Sequence, residues 1–329
     1  MKRLTILVPS GEGNNLSSIV GAYKIFSRAN EYWREQRKSE IFKIELAGVD
    51  RKVEYYDGLF AVKPHRNIFE IRKTDLIIIP SLNHNYIKTV GSNAEMADWI
   101  KKQYSKGAEV ASICTGAFLL ASSGLLDGKT CSTHWAAADT FKKLFPGITV
   151  KMDKLITEEN GIYTNGGAYS FLNLIIYLVE KFYDRQTATF CAKVFQIDID
   201  RQSQMSFMIF KGQKQHADDL VKRAQDYIEK HPEEKISIPQ LSSRLAVNRR
   251  SFDRRFIKAT GNTPLEYSQK VKIESAKRAF ENSLKTVNEV MYDVGYSDAK
   301  AFRELFRKMT GFSPLEYKSK YQKPALLRS

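Results

Sequence analysis

Cysteine is scarce. Three in 329 residues, at positions 114, 131 and 191, are too few and too unevenly spaced for a disulfide framework or a zinc-finger pattern. That usage fits a reducing, cytoplasmic compartment. The five histidines show no metal-ligand spacing, with His65 and His84 far apart, so neither a metal nor a cofactor is expected. No apolar run approaches the roughly 20 residues that span a bilayer. The apolar stretch near Met1 is too short for a secretory signal. Gly11-Glu12-Gly13 lacks the third glycine of a dinucleotide-binding fingerprint. Positive charge, by contrast, is plentiful. Lys and Arg number 52 against 37 Asp and Glu, a net charge of +15. Residues 216–329 hold 23 of the cations against 15 of the anions, a net of +8. More than half of the excess therefore sits in about a third of the chain, which points to a polyanionic partner.

The same third contains one pattern written twice. Ser251-Phe252-Asp253-Arg254-Arg255-Phe256, Thr260-Gly261 and Pro264-Leu265-Glu266-Tyr267 recur fifty residues on. The second copy reads Ala301-Phe302-Arg303-Glu304-Leu305-Phe306, Thr310-Gly311 and Pro314-Leu315-Glu316-Tyr317. A shared offset over three blocks marks a duplicated structural unit. Each copy reads as helix-turn-helix. Ser237 caps the first helix, whose inward residues are Leu241 and Leu245, and Ala246-Val247 makes the turn. Asn248 caps a second helix with Phe252 and Phe256 inside, and Gly261 ends it. In the other copy Val287, Val290, Met291 and Val294 are inward, Gly295 makes the turn, and Ser297 is the expected cap. The outward positions carry Arg249, Arg250, Asp253, Arg254 and Lys258 in the first copy, and Lys300, Arg303, Glu304, Arg307 and Lys308 in the second. A helix presenting a few long polar side chains, flanked by cations, suits the DNA major groove. Two on one linking helix (264–282) can reach successive groove faces. The competing interpretation is a solvated basic helical bundle.

Residues 218–321 resemble the DNA-binding domain of the AraC family of transcription regulators. The most specific stretch is Asp293-Val294-Gly295-Tyr296-Ser297-Asp298, followed by Phe302, Phe306, Gly311 and Pro314-Leu315-Glu316-Tyr317. The resemblance implies base-reading roles for Arg250, Asp253 and Arg254, and for Ala299, Lys300, Arg303 and Glu304. Ala299 can offer a base only an apolar contact. Ala246 departs from the family, which often has glycine there.

The first two-thirds alternate strands and helices. Strands are expected over 4–8, 42–49, 75–80 and 109–113, a hairpin over 53–62 with Asp57-Gly58 as its turn, and helices around Ile19, Tyr23 and Phe26 and over 94–104. The uninterrupted apolar run at Leu76-Ile77-Ile78-Ile79 requires a sheet covered on both faces. Cys114 stands between a strand and a helix, with Gly116 close behind. Such an elbow exposes the sulfur, and the helix N-terminus favours its thiolate. His134 follows twenty residues later and could complete an acyl-transfer dyad.

Cys114-Thr115-Gly116-Ala117-Phe118-Leu119-Leu120-Ala121, Gly124-Leu125-Leu126-Asp127-Gly128, Thr133-His134-Trp135, Thr164-Asn165-Gly166-Gly167-Ala168 and Asp200-Arg201-Gln202-Ser203-Gln204 resemble the PfpI and class I glutamine amidotransferase superfamily. The chain looks most like the GlxA-type subset of AraC regulators, in which the two domains are fused. The implied fold is an α/β flavodoxin-like, doubly wound domain followed by an all-α domain. The expected boundaries are a sensor and dimerisation domain at 1–210, a linker at 211–217, a DNA-binding domain at 218–322 and a tail at 323–329. Within the third of these, the helix-turn-helix units fall at about 237–260 and 286–309.

Two functions compete on this reading. One is a one-component transcription regulator that binds DNA, expected to be a homodimer and an activator that contacts RNA polymerase, and to bind an unidentified small-molecule effector at Asn14, Asn83, Cys114, Thr115 and His134. The other is a cysteine-dependent hydrolase or amidotransferase with an appended basic domain. Against the second, the family's oxyanion glycines are replaced by Pro80-Ser81-Leu82-Asn83. Its elbow-facing glutamate has no clear match, Glu12 being a nearby candidate. Cys114 and His134 then become remnants of an enzymatic ancestor.

Overall fold

The computed structural model describes residues 1–11, 15–36, 38–82, 85–201 and 203–322. The chain divides into two compact units, Met1–Gln204 and Met205–Ser329.

The N-terminal unit is an α/β sandwich. In chain order it runs β1 (Lys2–Leu7), α1 (Leu16–Glu35), β2 (Phe42–Gly48), β3 (Val53–Tyr55), β4 (Phe60–Val62), β5 (Arg66–Asn67) and β6 (Leu76–Ile79). There follow α2 (Tyr86–Ser92), α3 (Ala94–Ser105), β7 (Glu109–Ser112), α4 (Ala117–Ser122), β8 (Thr130–Cys131), α5 (Ala138–Leu144), β9 (Thr149–Val150), β10 (Ile156–Glu159), β11 (Ile162–Asn165), α6 (Phe171–Phe182) and α7 (Arg185–Val194). Seven strands form the main sheet in the order β10-β11-β7-β6-β1-β2-β5. All its pairings are parallel except β10 with β11. β3 and β4 form the expected hairpin, with Tyr56 and Asp57 at positive φ.

Alternation along each strand divides the core in two. Leu4, Ile6, Ile78 and Ala111 pack with Phe26 of α1 and Leu174 and Ile175 of α6. Leu7, Ile77, Ile79 and Val110 pack with Trp99 of α3, Phe118 of α4 and Phe141 of α5 on the other face. This is why the apolar run of β6 is uninterrupted: both of its faces are covered. Tyr23, expected inward on α1, is instead partly exposed and stacks on His65. Ala22, Ile25 and Ala29 take the buried stripe.

The C-terminal unit is helical: α8 (Asp219–Lys230), α9 (Ile238–Arg244), α10 (Arg249–Thr260), α11 (Pro264–Asn282), α12 (Val287–Asp293), α13 (Ala299–Thr310) and α14 (Pro314–Tyr321). Residues 211–217, expected as a linker, pack onto this unit. Lys214 pairs with Asp226 (2.7 Å) and Glu229 (2.8 Å), and His216 bonds Gln225 (3.0 Å). Polar composition suggested a tether, but those side chains find partners on α8.

Candidate functional site

The helical unit holds two apolar clusters, one for each helix-turn-helix. Phe252, Phe256 and Tyr267 anchor the first, and Phe302, Phe306 and Tyr317 the second. The ring pairs repeat: Phe256–Tyr267 meet edge to face at 5.3 Å, and Phe306–Tyr317 at 5.4 Å. Each tyrosine hydroxyl donates to a glutamate, Tyr267 to Glu229 and Tyr317 to Glu281, both at 2.5 Å.

α10 and α13 are each 12 residues long. Asn248 caps α10 by accepting the Ser251 N–H. Asp298, not the expected Ser297, caps α13 and accepts from Lys300 and Ala301. A carboxylate at that point also opposes the positive end of the helix dipole, which a hydroxyl does not. Both helices end at a left-handed glycine, Gly261 (φ 71°) and Gly311 (φ 79°).

Burial on one side leaves the other side of each helix in solvent. Arg249, Arg250, Arg254 and Lys258 are exposed on α10, and Lys300, Arg303, Glu304, Arg307 and Lys308 on α13. Arg249 is held by Asp253 at 2.7 Å, one turn along. Arg255, between the two faces, makes a two-pronged bond to Asp218 (2.7 and 2.8 Å), the cap of α8. Among the described residues the other exposed cations of α10 and α13 make no ion pair. The structure thus brings the candidate DNA-binding residues onto two helices of one unit and ties Asp253 to Arg249.

Sequence reasoning missed Lys272. It lies on α11, 7% exposed, between the two apolar clusters. Its ammonium donates to the carbonyls of Pro232, Glu234 and Val294. Desolvation by burial holds its pKa below that of a free lysine. A lysine in a polar helical sequence reads as a surface residue, so the pattern carried no warning.

In the N-terminal unit the second candidate site lies at the C-terminal ends of the parallel strands, where ligand crevices of such sheets form. Cys114 has φ 54°, a left-handed elbow, and Gly116 beyond it closely approaches the end of β6. A Cβ on Gly116 would lie 2.5 Å from the Pro80 carbonyl oxygen. The elbow was expected to expose its sulfur as thiolate. Instead Cys114 is 3% exposed and burial raises its pKa, an effect that the hydroxyls of Ser81 and Thr115 only moderate. The loop after β6 is occupied from within. The Ser81 N–H donates to Ser18 Oγ (3.1 Å) and the Leu82 N–H to Thr115 Oγ1 (2.9 Å). These amides, in the place where the superfamily stabilises an oxyanion, already have partners.

His134 is partly buried and its pKa is lowered by desolvation. Its Nδ1 accepts the Ala136 N–H at 3.1 Å. The group that reaches the cysteine backbone is its neighbour: Thr133 Oγ1 donates to the Cys114 carbonyl at 3.0 Å. Gln204 clasps this loop, donating to the Thr133 carbonyl (2.9 Å) and accepting the Trp135 N–H (3.1 Å). Gly166 makes room for that amide. Asn14 and Asn83 of the expected pocket lie outside the described residues, as does Glu12. No helix among the described residues is long and apolar enough to cross a membrane.

Comparison with known proteins agrees with both units. Residues 5–181 match the DJ-1/PfpI family and residues 241–320 a helix-turn-helix domain. The transcriptional regulator GbdR of Pseudomonas aeruginosa is 23% identical over 219 residues, which is 65% of this chain and 58% of that protein. The chain thus spans less than two-thirds of that relative's length. An isonitrile hydratase of Pseudomonas putida is 28% identical over 127 residues, 39% of this chain and 54% of that enzyme. The crystal structure of Drosophila melanogaster DJ-1beta superposes with a TM-score of 0.50 at 17% identity, over 60% of this chain and 98% of that one, a likeness of fold alone. With the parallel sheet, the cysteine elbow and the paired helical units in place, the chain belongs to the DJ-1/PfpI family and carries a helix-turn-helix domain of the AraC type behind it.

Proposed function

We propose that the protein is a one-component transcription regulator. The C-terminal unit binds a specific duplex site through α10 and α13, and the N-terminal unit senses a small molecule. The observation that carries this reading is the duplicated pair of side-chain-capped helices whose exposed cations, Arg249 apart, stand outside ion pairs among the described residues. Arg250 and Arg254 on α10, and Lys300 and Arg303 on α13, are assigned to base edges. Lys258, Arg307 and Lys308 are assigned to phosphates, which fix register. Asp253 and Glu304 suit cytosine amino groups, Asp253 once Arg249 releases it. The reading includes a cytoplasmic homodimer, which lengthens the site and adds avidity, and an activator's contact with RNA polymerase.

The test is selection of bound fragments from genomic DNA by the purified protein, followed by affinity measurements across salt. Enrichment of one motif, with affinity falling steeply as salt rises, supports the reading. Binding equal on all duplexes, or a flat salt response, sinks it.

The hydrolase alternative is less well supported. The Ser81 and Leu82 amides are engaged and the Cys114 thiol is buried and raised in pKa. Cys114→Ala is expected to preserve regulation. Loss of regulation together with a covalent adduct on Cys114 in the wild type would restore the enzymatic reading.

A further inference from the structure

α11 passes through two separate cores. Tyr267 and Val271 belong to the first apolar cluster, and Ile273, Ala276 and Phe280 to the second. Lys272 stands at the seam. Its ammonium meets the Pro232 carbonyl at 2.6 Å and the Glu234 carbonyl at 2.9 Å, both in the loop that precedes α9. It meets the Val294 carbonyl, at the end of α12, at 2.8 Å. An ammonium has three donors, and three carbonyls use them all. The same loop and turn also touch directly: a Cβ on Gly295 would lie 2.0 Å from the Glu233 carbonyl oxygen and 2.8 Å from Lys272 Nζ. Opening this seam would strand a buried charge and bare three carbonyls, so the loop of the first helix-turn-helix and the turn of the second move together.

We propose that Lys272 is a positioning residue that locks the two helix-turn-helix units at one separation, so that the protein reads two groove segments only at a fixed spacing. The inference rests on the DNA-binding reading above. α11 supplies a shared axis, but the apolar packing on either side of residue 272 is divided between two clusters. The clamp joins them with directed bonds. Lysine suits the place because its donors radiate from one point, whereas arginine presents a planar fork.

Two measurements test this. First, the full-length wild type and Lys272→Met are titrated with a selected duplex and with copies carrying one base pair more between the two groove contacts, a change of about 3.4 Å and a tenth of a turn. The wild type is expected to lose about tenfold in affinity on insertion, equivalent to one decade in Kd. Lys272→Met is expected to discriminate less than about threefold while keeping its non-specific binding. Second, spin labels at Ser243 and Tyr292, both exposed, report the separation of the two units without DNA. One narrow distance is expected in the wild type and a broad distribution in the variant. Should Lys272→Met not fold, Lys272→Gln is read in the same assays. A folded variant with wild-type spacing discrimination, or with an unchanged distance distribution, overturns the proposal. If no duplex is bound selectively, it is the DNA-binding reading that fails, and the label distances still decide the clamp.

Discussion

The two helix-turn-helix units are copies that have diverged unevenly. The first helices, α9 and α12, start 49 residues apart, whereas the second helices, α10 and α13, start 50 apart. The second turn is therefore one residue longer than the first. Both turns close with the same pair of bonds. Ala246 and Val247 donate back to Ser243 and Ser242, and Gly295 and Tyr296 to Tyr292 and Met291. The aromatic cores match almost ring for ring. The residue at the left-handed turn position does not: it is Ala246 (φ 53°) in the first unit and Gly295 (φ 73°) in the second. What differs is the neighbour. Ala246 is exposed, while Gly295 is pressed against the loop at Glu233. A large buried ring is costly to change in either copy. A turn residue is constrained only as far as its surroundings require.

The largest effect expected from this contrast is at Gly295. Gly295→Ala adds a Cβ where the Glu233 carbonyl oxygen stands 2.0 Å away, at a backbone angle alanine already disfavours. A loss of at least about 3 kcal/mol is expected in thermal or urea unfolding. A loss under about 1 kcal/mol would show that the two turns are equivalent after all.

DNA contacts come next. Arg254→Ala on α10 and Arg303→Ala on α13 should each cost about 1–3 kcal/mol on a selected site and relax base preference nearby, with little change in unfolding. Uniform weakening on every sequence would assign them to phosphates.

Asp218 separates the copies in a third way. It caps α8 and receives Arg255, and both bonds lower its pKa, that to Arg255 most. Asp218→Ala should cost about 1–2 kcal/mol. Because the folded pKa is depressed, the wild type holds this stabilisation above the unfolded value of about 3.9 and loses it as pH falls through the folded one. The gap in stability between wild type and variant should therefore shrink in acid. A gap independent of pH would mean that the carboxylate's charge is not what matters.

Much of this was legible beforehand. The apolar run of β6 announced a covered sheet, and the fifty-residue offset announced the duplication. The same offset carries Asn248 onto Asp298, so the cap of α13 was readable from the repeat even though the motif drew attention to Ser297. Cys114 was harder. The elbow is visible in sequence, but the apolar cluster that buries the sulfur, and Ser81, which bonds Thr115 beside it, come together only in the fold. Lys272 could not be read at all. Its three acceptors are backbone carbonyls, and carbonyls have no signature in the sequence.

The smallest effect is also the one that isolates backbone strain. Ala246 is exposed and holds φ 53°, so Ala246→Gly removes only a methyl group and the steric cost of the left-handed conformation. That cost is about 1–2 kcal/mol for a residue with a Cβ. Glycine also enlarges the freedom of the unfolded chain and returns part of the gain. The net expectation is a stabilisation of about 0.5–1 kcal/mol, measured as a shift of the urea midpoint at constant slope. DNA affinity should stay unchanged, because Asn248 still caps α10 and sets its entry. A destabilisation would mean that the alanine methyl makes a contact that matters, and the first turn would then be as tightly specified as the second.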